Sequence, residues 1–315
     1  MAKQLTPNQN VRLHTLNLSQ ADIAEINMAL DQVQSLDFHG NEVTRERFPL
    51  PNLREKLEAC ARNVHCEHGT SIIRGLNPRE YSQQENILLF LGISSSIGDQ
   101  RGLQNSKGDM LTHITEWMLW GRDDRHILHT RKALPFHSDM GCEILSLQVQ
   151  SIAETGGHTY VAPLGAICDD LERTSPQVLD VLKESKWPIR KSFNESPLFQ
   201  ECALIGSSAG KNVVSVDSER IGPELTPEQA EALDKFQAAA GKHRSDLRAQ
   251  AGDIIFINNL SLLHSRDSYE DSYMLHRHYV RLWLRHSKQA KYPTYSADNY
   301  PEMRHATGTA AFVEN

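Results

Sequence analysis

Two alternating stretches, 143–152 (EILSLQVQSI) and 277–284 (RHYVRLWL), restrict this chain more than any other feature. In the first, Leu145, Leu147 and Val149 fall on one side, and Ser146, Gln148 and Gln150 on the other. That period of two is the signal of a half-buried strand. In the second, Arg277, Tyr279, Arg281 and Trp283 share a face. A third stretch, 254–257 (IIFI), follows the Gly252-Asp253 turn and suits a fully buried strand. The helical signals lie elsewhere. Ser19 and Asp22 cap a helix over 19–36 whose apolar face is Ile23, Ile26, Leu30 and Val33, and a second helix is expected over 53–63. Ser82 to Glu85 is a capping box for a buried helix running to Ile93. Residues 163–182 read as two helical pieces, and Thr226-Pro227-Glu228-Gln229 opens a further helix with Gly241 as its stop. A short strand is expected over 70–73 and another over 213–216, with 191–210 irregular. The fold class is therefore mainly β with flanking helices, a barrel or sandwich rather than an alternating βα fold.

His137-Ser138-Asp139 stands immediately before the first alternating stretch, and His264 lies far downstream. Residues i and i+2 of an extended chain point the same way, so His137 and Asp139 can converge on one ion. Two imidazoles and one carboxylate are the donor set that suits Fe(II) while leaving positions open. The triplet His65-Cys66-Glu67 has a similar composition but no strand beside it, and reads as an ordinary polar loop. The segment 99–132 is polar, lacks a clear period and holds His113, His126 and His129. Its place before the candidate ligands makes it a lid or a plain surface loop.

Composition closes off other classes. Net charge is −7 with no block of lysines and arginines, against nucleic acid as a partner. No run approaches the roughly 18 apolar residues of a membrane span. The first ten residues lack an apolar signal region, and five scattered cysteines read as free thiols in a reducing compartment, so a cytoplasmic location is expected. Cys142, close to the candidate ligands, reads as a small buried hydrophobe.

Further segments line up with the three ligands. Thr159 follows Asp139 by twenty residues, Asn258-Asn259 precedes His264, and Arg277 and Arg281 follow His264 by thirteen and seventeen. In this order LPFHSDMG, ETGGHTYVAP, AGDIIFINNLSLLHSR and LHRHYVRLWL resemble the taurine dioxygenase-like (TauD/TfdA) family of Fe(II)- and 2-oxoglutarate-dependent dioxygenases. HGTSIIRGL resembles the family's early strand, so the likeness runs from about Gly69 to Arg285, and the wording is most similar to fungal members.

The resemblance implies a double-stranded β-helix (jelly-roll) core within a single domain over 1–315. The helical N-terminal part would cover about 1–68, the core about 69–286, and a helical insert about 163–245. It also implies that His137, Asp139 and His264 are the catalytic metal ligands. The cofactors would be Fe(II), 2-oxoglutarate and O2. Thr159 and Arg277 would hold the distal carboxylate of 2-oxoglutarate, Arg277 through its planar fork. Arg281 would hold an anionic group of the substrate, although a shift in strand entry exchanges the two arginines. The implied reaction oxidises a C–H bond of a small, anionic or amino-acid-like molecule, by hydroxylation, desaturation or cyclisation. Asp139, an acid, argues against halogenation. The family assembles in various ways, so a homo-oligomer stays open.

Two other readings share these residues. A metal-dependent barrel enzyme that does not use 2-oxoglutarate takes the same ligands, as an oxidase or as a zinc hydrolase, and a non-catalytic relative would bind ligands without turnover. Thr159 and Arg277 argue against the first, since one dicarboxylate explains both, and the intact triad argues against the second. His276 and His278 are expected to face outward, Tyr279 and Trp283 to be core, and Arg285 to be solvated. The family often has an acid where His158 stands here.

Overall fold

Apolar residues at every second position let a strand pack one row of side chains inward and the other under a helix, and this chain does so repeatedly. The computed structural model describes residues 11–36, 40–67, 69–104, 108–116, 127–139, 142–190, 199–208, 211–217, 219–285 and 312–314. Its first strands are β1 (His14–Asn17), β2 (Thr70–Arg74), β3 (Gln100–Gly102) and β4 (Leu111–Ile114). Next come β5 (Leu134–His137), β6 (Ile144–Ser151), β7 (Thr155–Gly156) and β8 (Thr159–Pro163). The insert carries β9 (Trp187–Arg190), β10 (Phe199–Cys202), β11 (Ile205–Ser208) and β12 (Lys211–Val214). The last are β13 (Ser245–Asp246), β14 (Ile254–Asn258), β15 (Leu262–Arg266), β16 (Tyr269–Glu270), β17 (His278–Arg285) and β18 (Phe312–Glu314). The helices are α1 (Gln20–Ser35), α2 (Arg54–Arg62), α3 (Gln83–Ser94), α4 (Leu164–Thr174), α5 (Pro176–Lys183) and α6 (Pro227–Lys242).

An eight-stranded sheet runs β1-β2-β14-β6-β17-β3-β18, with β4 also on β17. A four-stranded sheet runs β13-β8-β15-β5. The two face each other across a core of Leu145, Leu147, Val149, Ile255, Ile257, Tyr279 and Trp283 from the large sheet and Val161 and Leu262 from the small one. This is the jelly-roll core. The alternate residues Ile144, Ile254, Phe256, Val280 and Leu282 pack outward under α1, α2 and α3. On the far side, Phe136, Ala162 and Leu263 of the small sheet pack under α4, α5 and α6. Burying each such large apolar side chain is worth roughly 1.5–3 kcal/mol, so three parallel layers of contact hold the two sheets in place.

Several sequence expectations need correcting. β6 is buried on both faces, because Gln148 donates from Nε2 to the Asn86 carbonyl of α3 (2.9 Å). α6 runs through Gly241 to Lys242, since that glycine has ordinary backbone angles and open space around it. The segment 99–132 is no plain loop: β3 and β4 extend the large sheet, too short to show a period. Within β3, Arg101 is fully buried and donates to the carbonyls of Gly40 (3.0 Å), Leu91 (3.1 Å) and Val43. His126 and the rest of 117–126 fall outside the described residues. In 191–210, β10 and β11 replace the irregular structure expected, with 191–198 and 209–210 outside the described residues. The triplet His65-Cys66-Glu67 ends a π-helical turn, where buried His65 meets the Ile97 carbonyl through Nε2 (3.0 Å). No described helix is long and apolar enough to cross a membrane.

Candidate active site

Three strands bring the triad together. In the small sheet His264 of β15 pairs with His137 of β5 on one side and Val161 of β8 on the other. Phe136 faces outward into the helical layer, so its neighbour His137 faces in. Ser138, between the two candidate ligands, is pinned outward: its N–H donates to the Val216 carbonyl (2.7 Å) and its Oγ accepts from the Val216 N–H (2.9 Å). That leaves His137 and Asp139 pointing the same way. The imidazole rings of His137 and His264 are 4.1 Å apart, and Asp139 Oδ1 lies 3.9 Å and 3.7 Å from their Nε2 atoms. Among the described residues, these three are the one group of histidine, cysteine and acid donors able to hold a metal ion.

The donor atoms are prepared for that task. His137 Nδ1 sits 2.8 Å from the Pro135 carbonyl, so Nδ1 carries the proton and Nε2 presents its lone pair. Burial keeps His264 neutral, its pKa pushed down to about 3, with the neighbouring His137 adding to the effect. Burial also opposes ionisation of Asp139, but the Arg281 guanidinium and the Trp283 N–H overcome it and hold the carboxyl well below the usual range. The Asp139 backbone is fixed by Asn259, whose Oδ1 accepts from the Asp139 N–H (2.8 Å) while Nδ2 donates to the carbonyls of Asp139 (2.6 Å) and Cys142 (2.9 Å). Asn258 Oδ1 accepts from the Leu260 and Ser261 N–H groups, making the turn that aims Asn259 inward.

Thr159 and Arg277 are buried on the inner side of the same two sheets. Thr159 opens β8, pairs with Arg266 and faces the interior. Arg277 comes just before β17 and is 3 % exposed. Its Nε donates to the Gly157 carbonyl (3.2 Å), its N–H donates to Asp271 Oδ1 (2.8 Å), and its guanidinium lies 3.8 Å from the centre of the Tyr279 ring. Gly156 and Gly157 both have positive φ. A Cβ on Gly157 would stand 3.0 Å from Arg277 Cδ, and one on Gly156 2.3 Å from the Ser268 carbonyl oxygen. Gly157 therefore makes room for the arginine, and Gly156 for the backbone of Ser268 beside it. Despite this packing, Thr159 Oγ1 and Arg277 Nη1 are buried without a hydrogen-bond partner. The Tyr279 phenol approaches both but completes no bond of good geometry to Thr159. Buried polar atoms are ordinarily satisfied, and an incoming carboxylate would satisfy both. The triad's donor set and these two orphaned atoms thus fit iron and a dicarboxylate.

Arg281 lies two inward positions further on, within β17. Its Nη1 donates to Asp139 Oδ2 (3.1 Å) and its Nε to Gln104 Oε1 (3.0 Å). Trp283, expected as core, is core and more: its Nε1 donates to the same Oδ2 (2.7 Å). Arg285, expected in solvent, lies 3.5 Å from buried Glu143. His278, expected outward, is half-buried with Nε2 2.9 Å from His113 Nδ1, and burial pushes its pKa down to about 4. His276 does face solvent. His158 turns to Asp267, 3.3 Å away, and Cys142 is buried. The sequence singled out Asn258-Asn259 without a role for it, and gave no sign of what Trp283 and Arg266 hold. The last donates to the carbonyls of Leu128, Thr130 and Lys132 and straps that segment beside the site. The Asn-Asn pair before His264 was the one available signal for Asn259.

Comparison with known proteins agrees with this geometry. The sequence profile of the family described as "Taurine catabolism dioxygenase TauD, TfdA family" matches residues 32–283. The taurine hydroxylase-like protein SAT17 of Stachybotrys chartarum is 34% identical over 271 residues, covering 80% of this chain and 69% of that protein. Among solved structures, asparagine oxygenase in complex with Fe(II), 3-hydroxyasparagine and succinate superimposes with a TM-score of 0.70 at 17% identity, over 86% of this chain and 93% of the other. The non-heme iron oxygenase OrfP in complex with Fe and alpha-ketoglutaric acid gives 0.67 at 17% identity, over 96% and 100%. At such identities the two structures speak for the fold, and the profile and the fungal relative for the family. The chain belongs to the TauD/TfdA family and is a 2-oxoglutarate-dependent non-haem iron dioxygenase, using Fe(II), 2-oxoglutarate and O2.

Proposed function

We propose that His137, Asp139 and His264 hold the iron, that Thr159 and Arg277 hold the distal carboxylate of 2-oxoglutarate, and that the substrate is a small anionic or amino-acid-like molecule oxidised at a C–H bond. The observation that carries the reading is the pair of orphaned atoms, Thr159 Oγ1 and Arg277 Nη1, buried on the interior side that also holds the triad. Bound iron supplies the activation of O2, coupled to oxidative decarboxylation of 2-oxoglutarate to succinate and CO2. The protein's part is placement. His137 and His264 would present their Nε2 atoms, and Asp139 its Oδ1. Arg277 neutralises the far carboxylate with a rigid fork, and its stacking on Tyr279 keeps water from it. The dry walls of Leu145, Leu147, Val149 and Val161 strengthen each charge interaction inside.

Arg281 supports the anionic substrate. It is the guanidinium next to the metal-facing carboxylate, and Gln104 holds it in place from the segment before β4. The relatives point the same way: one is named for taurine, and structures of others hold hydroxylated asparagine and arginine. We read the chain as one domain over 1–315, its insert covering the small sheet, and as an enzyme of the cytoplasm.

The test is succinate release from a panel of amino acids and sulfonates beside their amide or ester counterparts. The expected result is stimulation by the anions alone, with KM for the best substrate raised at least tenfold in Arg281→Ala. Full turnover and unchanged substrate affinity in that variant would remove the anionic-substrate reading.

A further inference from the structure

The two oxygens of Asp139 face different company. Oδ1 faces the two imidazole Nε2 atoms. Oδ2 receives the Trp283 indole N–H at 2.7 Å and the Arg281 Nη1 at 3.1 Å. Trp283 and Arg281 sit two residues apart on the inner face of β17, and the guanidinium lies 4.9 Å from the indole ring. Trp283 is the rigid member of the pair. It is buried among Leu145, Leu147 and Tyr279, and its one N–H is spent on Asp139. Arg281 is divided between Asp139 and Gln104.

We propose that Trp283 is the positioning residue that fixes Asp139 as a one-oxygen metal ligand, a step that rests on Asp139 being a ligand at all. A carboxylate free to turn can present both oxygens to a metal, and the second would occupy a position that 2-oxoglutarate or O2 needs. Two donors on Oδ2 keep that oxygen turned away. Of the two, only the indole is suited to stay throughout turnover. A guanidinium beside the ligand is drawn towards any arriving anion and lowers the carboxylate's hold on a cation. A neutral N–H is not drawn to an arriving anion and weakens that hold less than a full positive charge does, and a desolvated hydrogen bond to a charged acceptor is among the stronger ones. The inward face of β17 and the residue before it thus carry three tasks in order, with Tyr279 between the two arginines: Arg277 at the cosubstrate end, Arg281 beside the carboxylate, and Trp283 behind it.

The test replaces Trp283 by the tryptophan analogue in which sulfur stands for the indole N–H, which keeps the ring and removes the donor. Trp283→Phe serves as a second variant. Fe(II) affinity is measured anaerobically by competition with a chelator, beside apo-protein melting and 2-oxoglutarate affinity at saturating iron. The expected result is a fall in Fe(II) affinity of about 10–100-fold, typical of lost hydrogen bonds behind a ligand. The apo-protein melt should stay near wild type in the analogue. Wild-type Fe(II) affinity in the analogue would overturn the proposal, as would loss of affinity matched by collapse of the apo fold in both variants. Asp139→Ala separates the two levels. If it binds iron as tightly as wild type, the ligand assignment falls and this inference with it. If it loses iron while the analogue does not, only the role of Trp283 falls.

Discussion

Arg277 and Arg281 lie four residues apart on one inward face, and their surroundings divide their tasks. Arg277 has a buried Nη1 with no partner, and Arg281 is engaged with Asp139 and Gln104. The exchange of roles left open by the sequence is thereby weighted towards Arg277 as the cosubstrate arginine. Charged hydrogen bonds of this kind contribute roughly 1.5–3 kcal/mol, so Arg277→Ala should weaken 2-oxoglutarate binding about 10–100-fold by anaerobic titration. Arg277→Lys should recover only part of it, because an ammonium lacks the fork. Gly157→Ala should weaken it as well, since the added carbon would stand 3.0 Å from Arg277 Cδ at a φ of +71°. Unchanged affinity in Gly157→Ala would mean that the arginine is not held by that loop. The candidate ligands were legible because extended backbone places i and i+2 together, a local rule. Trp283 and Asn259 were not, because what they touch lies 144 and 120 positions away, and nothing local marks such a partner.

At the scale of elements, helices were read well where their ends are capped by side chains three residues apart. Ser19, Ser82 and Thr226 all make the reciprocal bonds expected. Thr226→Ala should cost about 1 kcal/mol in a urea melt. Short edge strands were missed, because β3, β4, β10 and β11 are three or four residues long and take their shape from neighbours. One helix also serves the site directly. Gln237 of α6 accepts from the Phe136 N–H (2.9 Å) and donates to the Phe136 carbonyl (2.7 Å), completing the open edge of β5. Gln237→Ala leaves both groups without that partner, a cost of roughly 1–3 kcal/mol. Because His137 is the next residue, Fe(II) affinity should fall too. Reduced stability with iron affinity intact would show that β5 holds His137 without the helix.

Across the whole molecule, three apolar layers hold the two sheets, and the alternation visible in 143–152 and 277–284 anticipated the inner layer. The outer layers were less legible, since a strand covered by helices carries buried polar residues such as Ser146 and Gln148 that read as exposed. Burial lowers the pKa of His278 to about 4, and partial desolvation draws that of its exposed neighbour His113 down as well. In the unfolded chain both take up a proton near pH 6.5. The unfolded state then binds more protons below that pH, so stability is full above about 6.5 and is lost as pH falls towards 4. His278→Gln should flatten this part of a pH series of melts, and an unchanged slope would refute the assignment. The central claim, that His137, Asp139, His264, Thr159 and Arg277 build one site for iron and 2-oxoglutarate, is tested most directly by anaerobic optical titration of the apo-protein with Fe(II) and then 2-oxoglutarate. Wild type should give a weak visible charge-transfer band. His137→Ala should give none, and Arg277→Ala should need far more 2-oxoglutarate to reach it. Absence of the band with iron bound, or its persistence in His137→Ala, would contradict the account.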